Sequence, residues 1–374
     1  MSTSPKRRRT GGPKQQQHQQ QQEEGEEEGP LNRLPADVLS YVFGLCVARL
    51  EEVAPLARVS KLFNACVRRP SVLGSLGLEP HERLQRLFPN LNMFFPNKED
   101  IAAASAELVA TLQQVRLGCP AIRRIDFDSN DSNYHKIPYV RDEHVQLMAS
   151  FRSLRSVSLA QCVSVTDIIP LQSLTLLTKL DLELCQSIPG SGFACLSSLI
   201  SLQDLNVGAT VINDEGLAGL SMLPAVEKLS MGSCRAVSGS GFACISSMTS
   251  LQELDLGCTS IDEEVLAGLA MSFPALTKLD LSGCKSISGA GFACLSSVTS
   301  LQELDVPHTY INDEAIAVLS RSLTALAKLN LSFCGSISVS GSACLSSLAS
   351  LQELGIRQTV INDAGLSRAL HIWW

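Results

Sequence analysis

The chain has 374 residues, 45% of them apolar and only 18% charged, with 30 Lys and Arg against 37 Asp and Glu for a net charge of −7. That acidic balance argues against a general nucleic-acid binder, which needs a basic face, and against docking on anionic membranes. The 13 cysteines form no CxxC pair and the first residues, Met1 to Arg7, carry no apolar signal core. The chain is therefore expected to be intracellular, in the nucleus or the cytoplasm, with reduced thiols and no zinc.

Residues 1–30 hold almost no large apolar side chain: a basic cluster, Lys6, Arg7, Arg8 and Arg9, is followed by a glutamine run and then by Glu23, Glu24, Glu26, Glu27 and Glu28. Such a segment buries too little surface to offset its chain entropy and is expected to be disordered. Pro5 with the four basic residues resembles a nuclear import signal; an ordinary solvated charge run is the alternative.

Residues 31–78 carry short helical patterns. Pro35 suits the first position of a helix and Asp37 its positive end, with Val38, Val42 and Leu45 on one stripe and Leu39 and Phe43 beside it. A second stretch holds Val59, Ser60, Lys61, Leu62 and Phe63, with Ser60 placed to cap the helix that Lys61 opens. A unit this small has a thin core and is expected to cover part of its apolar face with a partner.

Leu34, Pro35, Val38, Leu39, Val42 and Phe43, followed by Val59, Ser60, Lys61 and Phe63, resemble an F-box. That family's three-helix module docks substrate receptors of SCF-type ubiquitin ligases on the Skp adaptor and, through it, on a cullin-RING complex. The match covers about 40 residues; the Trp that often closes the motif is absent from the stretch Pro70 to Leu76. A generic helical cap on the array that follows is the alternative.

Residues 79–118 read as a helical linker, with Ile101, Leu108, Leu112 and Val115 on the apolar stripe of one helix and Gly118 as its stop. From 119 to 374 the chain repeats. After a divergent unit with an irregular polar loop at 128–139, the segments settle into an LxxLxL rhythm. Its middle leucines Leu180, Leu205, Leu229, Leu254, Leu279, Leu304, Leu329 and Leu354 recur every 24 or 25 residues. That period predicts an α/β fold: a leucine-rich-repeat solenoid of about ten repeats, a horseshoe with parallel strands on the concave side and short helices on the convex side.

A second period spans two repeats. Cys185, Cys234, Cys284 and Cys334 end the strand segment in alternate units, and Thr210, Thr259, Thr309 and Thr359 do so in the others. Both are small groups with a weak donor, suited to a tight inner corner. Ladder cysteines two strands apart neither cross-link nor share a metal. The Cys form resembles the cysteine-containing leucine-rich repeats that commonly follow an F-box. The GxGFAC strings at Gly190, Gly239 and Gly289 recur once per two repeats, which marks packing, not a phosphate cradle.

The exposed position before the middle leucine alternates in sign: Lys179, Asp204, Lys228, Glu253, Lys278, Glu303, Lys328, Glu353. Such a column neutralises itself. Binding is then expected at positions that break the repeat: His308, Tyr310, Phe333 and Arg357, the first three in one patch, since aromatics and Arg are the usual interface anchors; drift in late repeats is the alternative. No nucleophile–base pair and no metal-ligand spacing is present, so neither catalysis nor a cofactor is expected. The two resemblances together imply a non-catalytic substrate receptor of an SCF-type ligase that holds an unknown target protein on its repeat face. A leucine-rich scaffold or inhibitor with a helical cap is the rival from another class.

Overall fold

A computed structural model of the protein describes residues 77–78, 98–118, 122–127 and 136–359. The basic cluster Lys6 to Arg9 and the ten F-box-like positions from Leu34 to Phe63 lie outside the described residues. Eleven short strands form one all-parallel sheet in strict chain order: β1 (Gly77–Leu78), β2 (Arg124–Asp126), β3 (Ser156–Ser158), β4 (Lys179–Asp181), β5 (Asp204–Asn206), β6 (Lys228–Ser230), β7 (Glu253–Asp255), β8 (Lys278–Asp280), β9 (Glu303–Asp305), β10 (Lys328–Asn330) and β11 (Glu353–Gly355). The register keeps equivalent residues opposite one another, as in Lys228 to Glu253, Leu229 to Leu254 and Ser230 to Asp255. This is a leucine-rich-repeat solenoid. Its first strand was not legible, because Gly77 and Leu78 alone pair with β2 and no LxxLxL pattern surrounds them.

The central residue of each strand from β2 to β10, Ile125, Val157 and then leucine, points into the core, with Leu205 fully buried and Leu229, Leu254 and Leu279 at 2% exposure, while its two neighbours face the open side. One hydrophobic cluster runs from Ala104 to Leu351. It takes in Ile137 and Tyr139, so the end of the loop expected to be polar is core instead. The phenol of Tyr139 titrates far above its usual range, chiefly because burial disfavours the phenolate.

The convex side follows the two-repeat period. Units ending in Thr carry α-helices: α3 (Asp214–Leu220), α5 (Glu263–Ser272) and α6 (Asp313–Ser322). Asn213, Asp262 and Asn312 cap them through side-chain oxygens that accept the N–H three residues on. The Cys units are rich in Gly and Ser, weak helix formers. They give 3₁₀ turns (Gly190–Ser198, Gly291–Ser297) or brief helices, α4 (Gly239–Ala243) and α7 (Val339–Cys344). An acid in the first turn of a helix clamps the next unit: Asp214 accepts the Ser238 N–H at 2.8 Å and its hydroxyl at 2.6 Å. Asp313 does the same for Ser338 at 2.7 and 2.5 Å.

Glycines of the helix Asp214–Leu220 pack against the GxG string that begins at Gly190. A Cβ on Gly216 would lie 2.2 Å from the Gly190 carbonyl oxygen, and one on Gly219 would lie 2.7 Å from the Ala194 Cα. Backbone on both sides leaves no room to yield. Gly216→Ala is expected to lower stability by about 1–3 kcal/mol in urea unfolding, whereas Gly268→Ala, where nothing lies within 4 Å, is expected to raise it slightly.

At the other end, α1 (Lys98–Gly118) packs on α2 (Asp142–Met148) through a fully buried His144. Its Nδ1 accepts the Arg141 N–H at 3.0 Å and its Nε2 lies 3.0 Å from the Ser105 carbonyl, to which it donates. This is a satisfied core histidine that ties the linker helix to the first repeats.

Candidate interaction surface

Two columns of polar side chains run across the open face of the sheet. In the first, the alternating charges pair as Lys179 with Asp204 at 2.8 Å and Lys228 with Glu253. A continuous chain then runs from Lys278 to Glu303 at 3.3 Å, to Lys328 at 3.2 Å and to Glu353 at 3.4 Å. Burial works against the charge of Glu303, but hydrogen bonds from Lys328 and Lys278 outweigh it and hold the carboxyl below its usual range. The Glu303 and Glu353 carboxylates in turn raise the Lys328 ammonium. The column offers little field to a ligand, as its alternation predicts.

The second column closes each strand: Asp181, Asn206, Ser230, Asp255, Asp280, Asp305, Asn330. It does not alternate. Asp255, Asp280 and Asp305 stand directly opposite one another in register. Asp280 titrates above the ordinary carboxylate range: burial is the main cause, and the charges of Asp255 and Asp305 add to it, together outweighing the Ser282 donors. Like charges face to face oppose folding, so this column leaves the face acidic across β7 to β9.

Beyond the strands, every unit from β3 on places one residue in the left-handed region: Gln161, Leu184, Ala209, Ser233, Cys258, Gly283, His308, Phe333 and Gln358, with φ between 51 and 67°. From Gln161 to Phe333 their N–H groups donate to the next unit, as Phe333 does to the Arg357 carbonyl at 2.7 Å. Only glycine adopts this region without cost, yet two adjacent units spend it on rings. His308 and Phe333 stack with centroids 4.1 Å apart and planes 14° off parallel, and Phe333 remains 40% exposed. Together with Asp305, Pro307 and Arg357 they line an open groove of about 960 Å³. Tyr310 is exposed but does not line it. The chain turns inward at Thr309, 3% exposed, so the next residue leaves the concave rim. Of the four positions singled out from the sequence, three meet in the groove.

The ladder of Cys and Thr lies beneath this rim. Cys234 Sγ donates to the Val207 carbonyl at 3.2 Å and Thr210 donates to the same oxygen at 2.7 Å. Cys284 shares the Leu256 carbonyl with Thr259, and Cys334 that of Val306 with Thr309. One carbonyl thus serves two units, which accounts for the two-repeat period. Burial pushes the thiol of Cys185 up to about 12 and that of Cys234 up to about 11. Among the described residues no three His, Cys, Asp or Glu side chains are placed to hold a metal ion.

The thiols make stability depend on pH at the alkaline end. An unfolded thiol ionises near its ordinary value of 9.0, while the folded chain keeps its protons to about 11 or 12. The contribution is complete below pH 9 and is lost as pH climbs toward 11 to 12. The melting temperature is expected to fall steadily from pH 9 to 11, and less steeply in a Cys185→Ser, Cys234→Ser double variant. Native protein at pH 8 is expected to resist alkylation at both positions until denaturant is added.

A family model described as Leucine Rich repeat matches residues 274–296. Over 76% of this chain and 94% of the other, the structure resembles an internalin from Listeria monocytogenes, inlF, at 18% identity with a TM-score of 0.50. It also aligns with TLR13, solved as a complex with ssRNA13, at 21% identity with a TM-score of 0.49 over 67% of this chain and 34% of that one. This chain thus spans about a third of the TLR13 chain. The sequence matches no curated protein. The repeat match and the internalin likeness agree with the repeat architecture already described, and the internalin likeness extends to the fold alone.

Proposed function

We propose that the protein is a non-catalytic receptor whose repeat face holds another protein. The observation that supports this is the placement of a stacked His308–Phe333 pair on an open rim, above a charge column that otherwise neutralises itself. An exposed ring in a left-handed turn contributes little to the fold and serves contact with a partner. The F-box-like sequence at Leu34, Pro35, Val38, Leu39, Val42, Phe43, Val59, Ser60, Lys61 and Phe63 makes the receptor a substrate-recognition subunit of an SCF-type ubiquitin ligase. The Skp adaptor binds the 31–78 module, the partner subunits supply the chemistry, and the basic cluster Lys6 to Arg9 directs the chain to the nucleus. Co-purification of the tagged chain with the Skp adaptor, with and without residues 31–78, tests this. Adaptor recovered only with the module present supports the ligase reading; adaptor absent from both leaves a leucine-rich scaffold with a helical cap.

A further inference from the structure

One member of the carboxylate column differs from the rest. Asp181, Asn206, Asp255, Asp280 and Asn330 each accept the backbone N–H two residues on, at 2.7 to 3.1 Å. Asp305 has no such donor, because residue 307 is proline. Among the described residues its carboxylate makes no hydrogen bond and no ion pair. The ammonium groups on the two flanking strands are held elsewhere, Lys278 by Glu303 and Lys328 by Glu303 and Glu353. A half-buried carboxylate with neither donor nor counter-ion is costly, and this one lines the groove walled by the His308–Phe333 stack.

A carboxylate beside exposed aromatic rings is the chemistry that takes a guanidinium. The carboxylate accepts two parallel N–H donors, and the ring attracts the planar cation. Lysine offers a point charge with no fork and no plane. Lys328 and Arg357 also line the groove and disfavour more than one further cation. We infer that this groove receives a single arginine side chain from an extended segment of a partner protein, its guanidinium on Asp305 and its side chain packed along the exposed surface of the His308–Phe333 stack. This deepens the proposal that the face is a receptor surface and rests on it.

The test pans the full chain against a phage library of random linear peptides and then measures the selected peptides by fluorescence anisotropy. An enriched arginine at one position is expected. Changing it to lysine in the peptide, or Asp305→Asn in the protein, is expected to weaken binding roughly tenfold. Pro307→Gly removes no charge but returns to Asp305 the N–H donor that its counterparts have. It is expected to weaken binding several-fold while the melting temperature changes little, because the restored hydrogen bond offsets the flexibility that glycine adds, a result that a purely structural role for Pro307 does not give. Selected peptides without arginine, no selected peptides, or affinity unchanged in Asp305→Asn would each overturn the inference. So would selection of runs of adjacent cations like Lys6 to Arg9, which would seat the chain's own tail there. Failure of adaptor co-purification, by contrast, removes the ligase reading and leaves this groove untouched.

Discussion

Leu279→Ala is expected to cost about 2–5 kcal/mol of stability. Leu279 is the middle residue of β8, 2% exposed, and stands in register between Leu254 and Leu304. A void of about 10 Å³ already lies beneath it, lined by Leu254, Leu269, Phe273 and Leu295. Removing the side chain enlarges that void in a layer held on both sides by backbone pairing, which prevents collapse into the gap. Each unit touches only its neighbours, so the damage concentrates at the β7–β8–β9 interfaces and does not spread evenly. Urea unfolding followed by circular dichroism is expected to show an earlier midpoint and a second step as the array divides there. A midpoint equal to that of the parent chain would show that the strand is not packed as described.

The largest effect on binding is expected at the other end of the chain. Leu34→Ala combined with Pro35→Ala is expected to abolish capture of the Skp adaptor, since small modules of this kind bind through a few buried apolar anchors. The repeats have their own continuous core, from Ala104 onward, so the unfolding curve of the array is expected to remain unchanged. Adaptor recovery at parental levels from the double variant would end the F-box assignment.

Most of the repeat architecture was legible because its signals are local and periodic. Leucines at a fixed spacing declare the strands, and the repeat period implies the short convex elements between them. What escaped has no such rhythm. The two-residue strand Gly77–Leu78 has no pattern of its own and exists only through its pairing with β2. Ile137 and Tyr139 sit in a stretch of polar residues, and only the structure reveals that they turn into the core. In the groove, His308, Phe333 and Arg357 were visible as breaks in the repeat, but Asp305 was not, since it looks like every other Asp of its column. Its difference lies in a donor missing two residues away. Pro307 stands where most other repeats have Gly or Ser, and only the hydrogen-bond pattern of the other units shows what that proline removes.

The shared carbonyl beneath each Thr–Cys pair has a consequence for the history of such a chain. Lys accompanies the Cys unit and Glu or Asp the Thr unit, so both alternations have the same step. Loss or duplication of one unit would set Lys against Lys on the open face and leave two Thr or two Cys at adjoining corners. Loss or duplication of two units would leave both patterns intact. Gain or loss of length is therefore expected to occur in pairs of units, so that relatives differ by about fifty residues at a time.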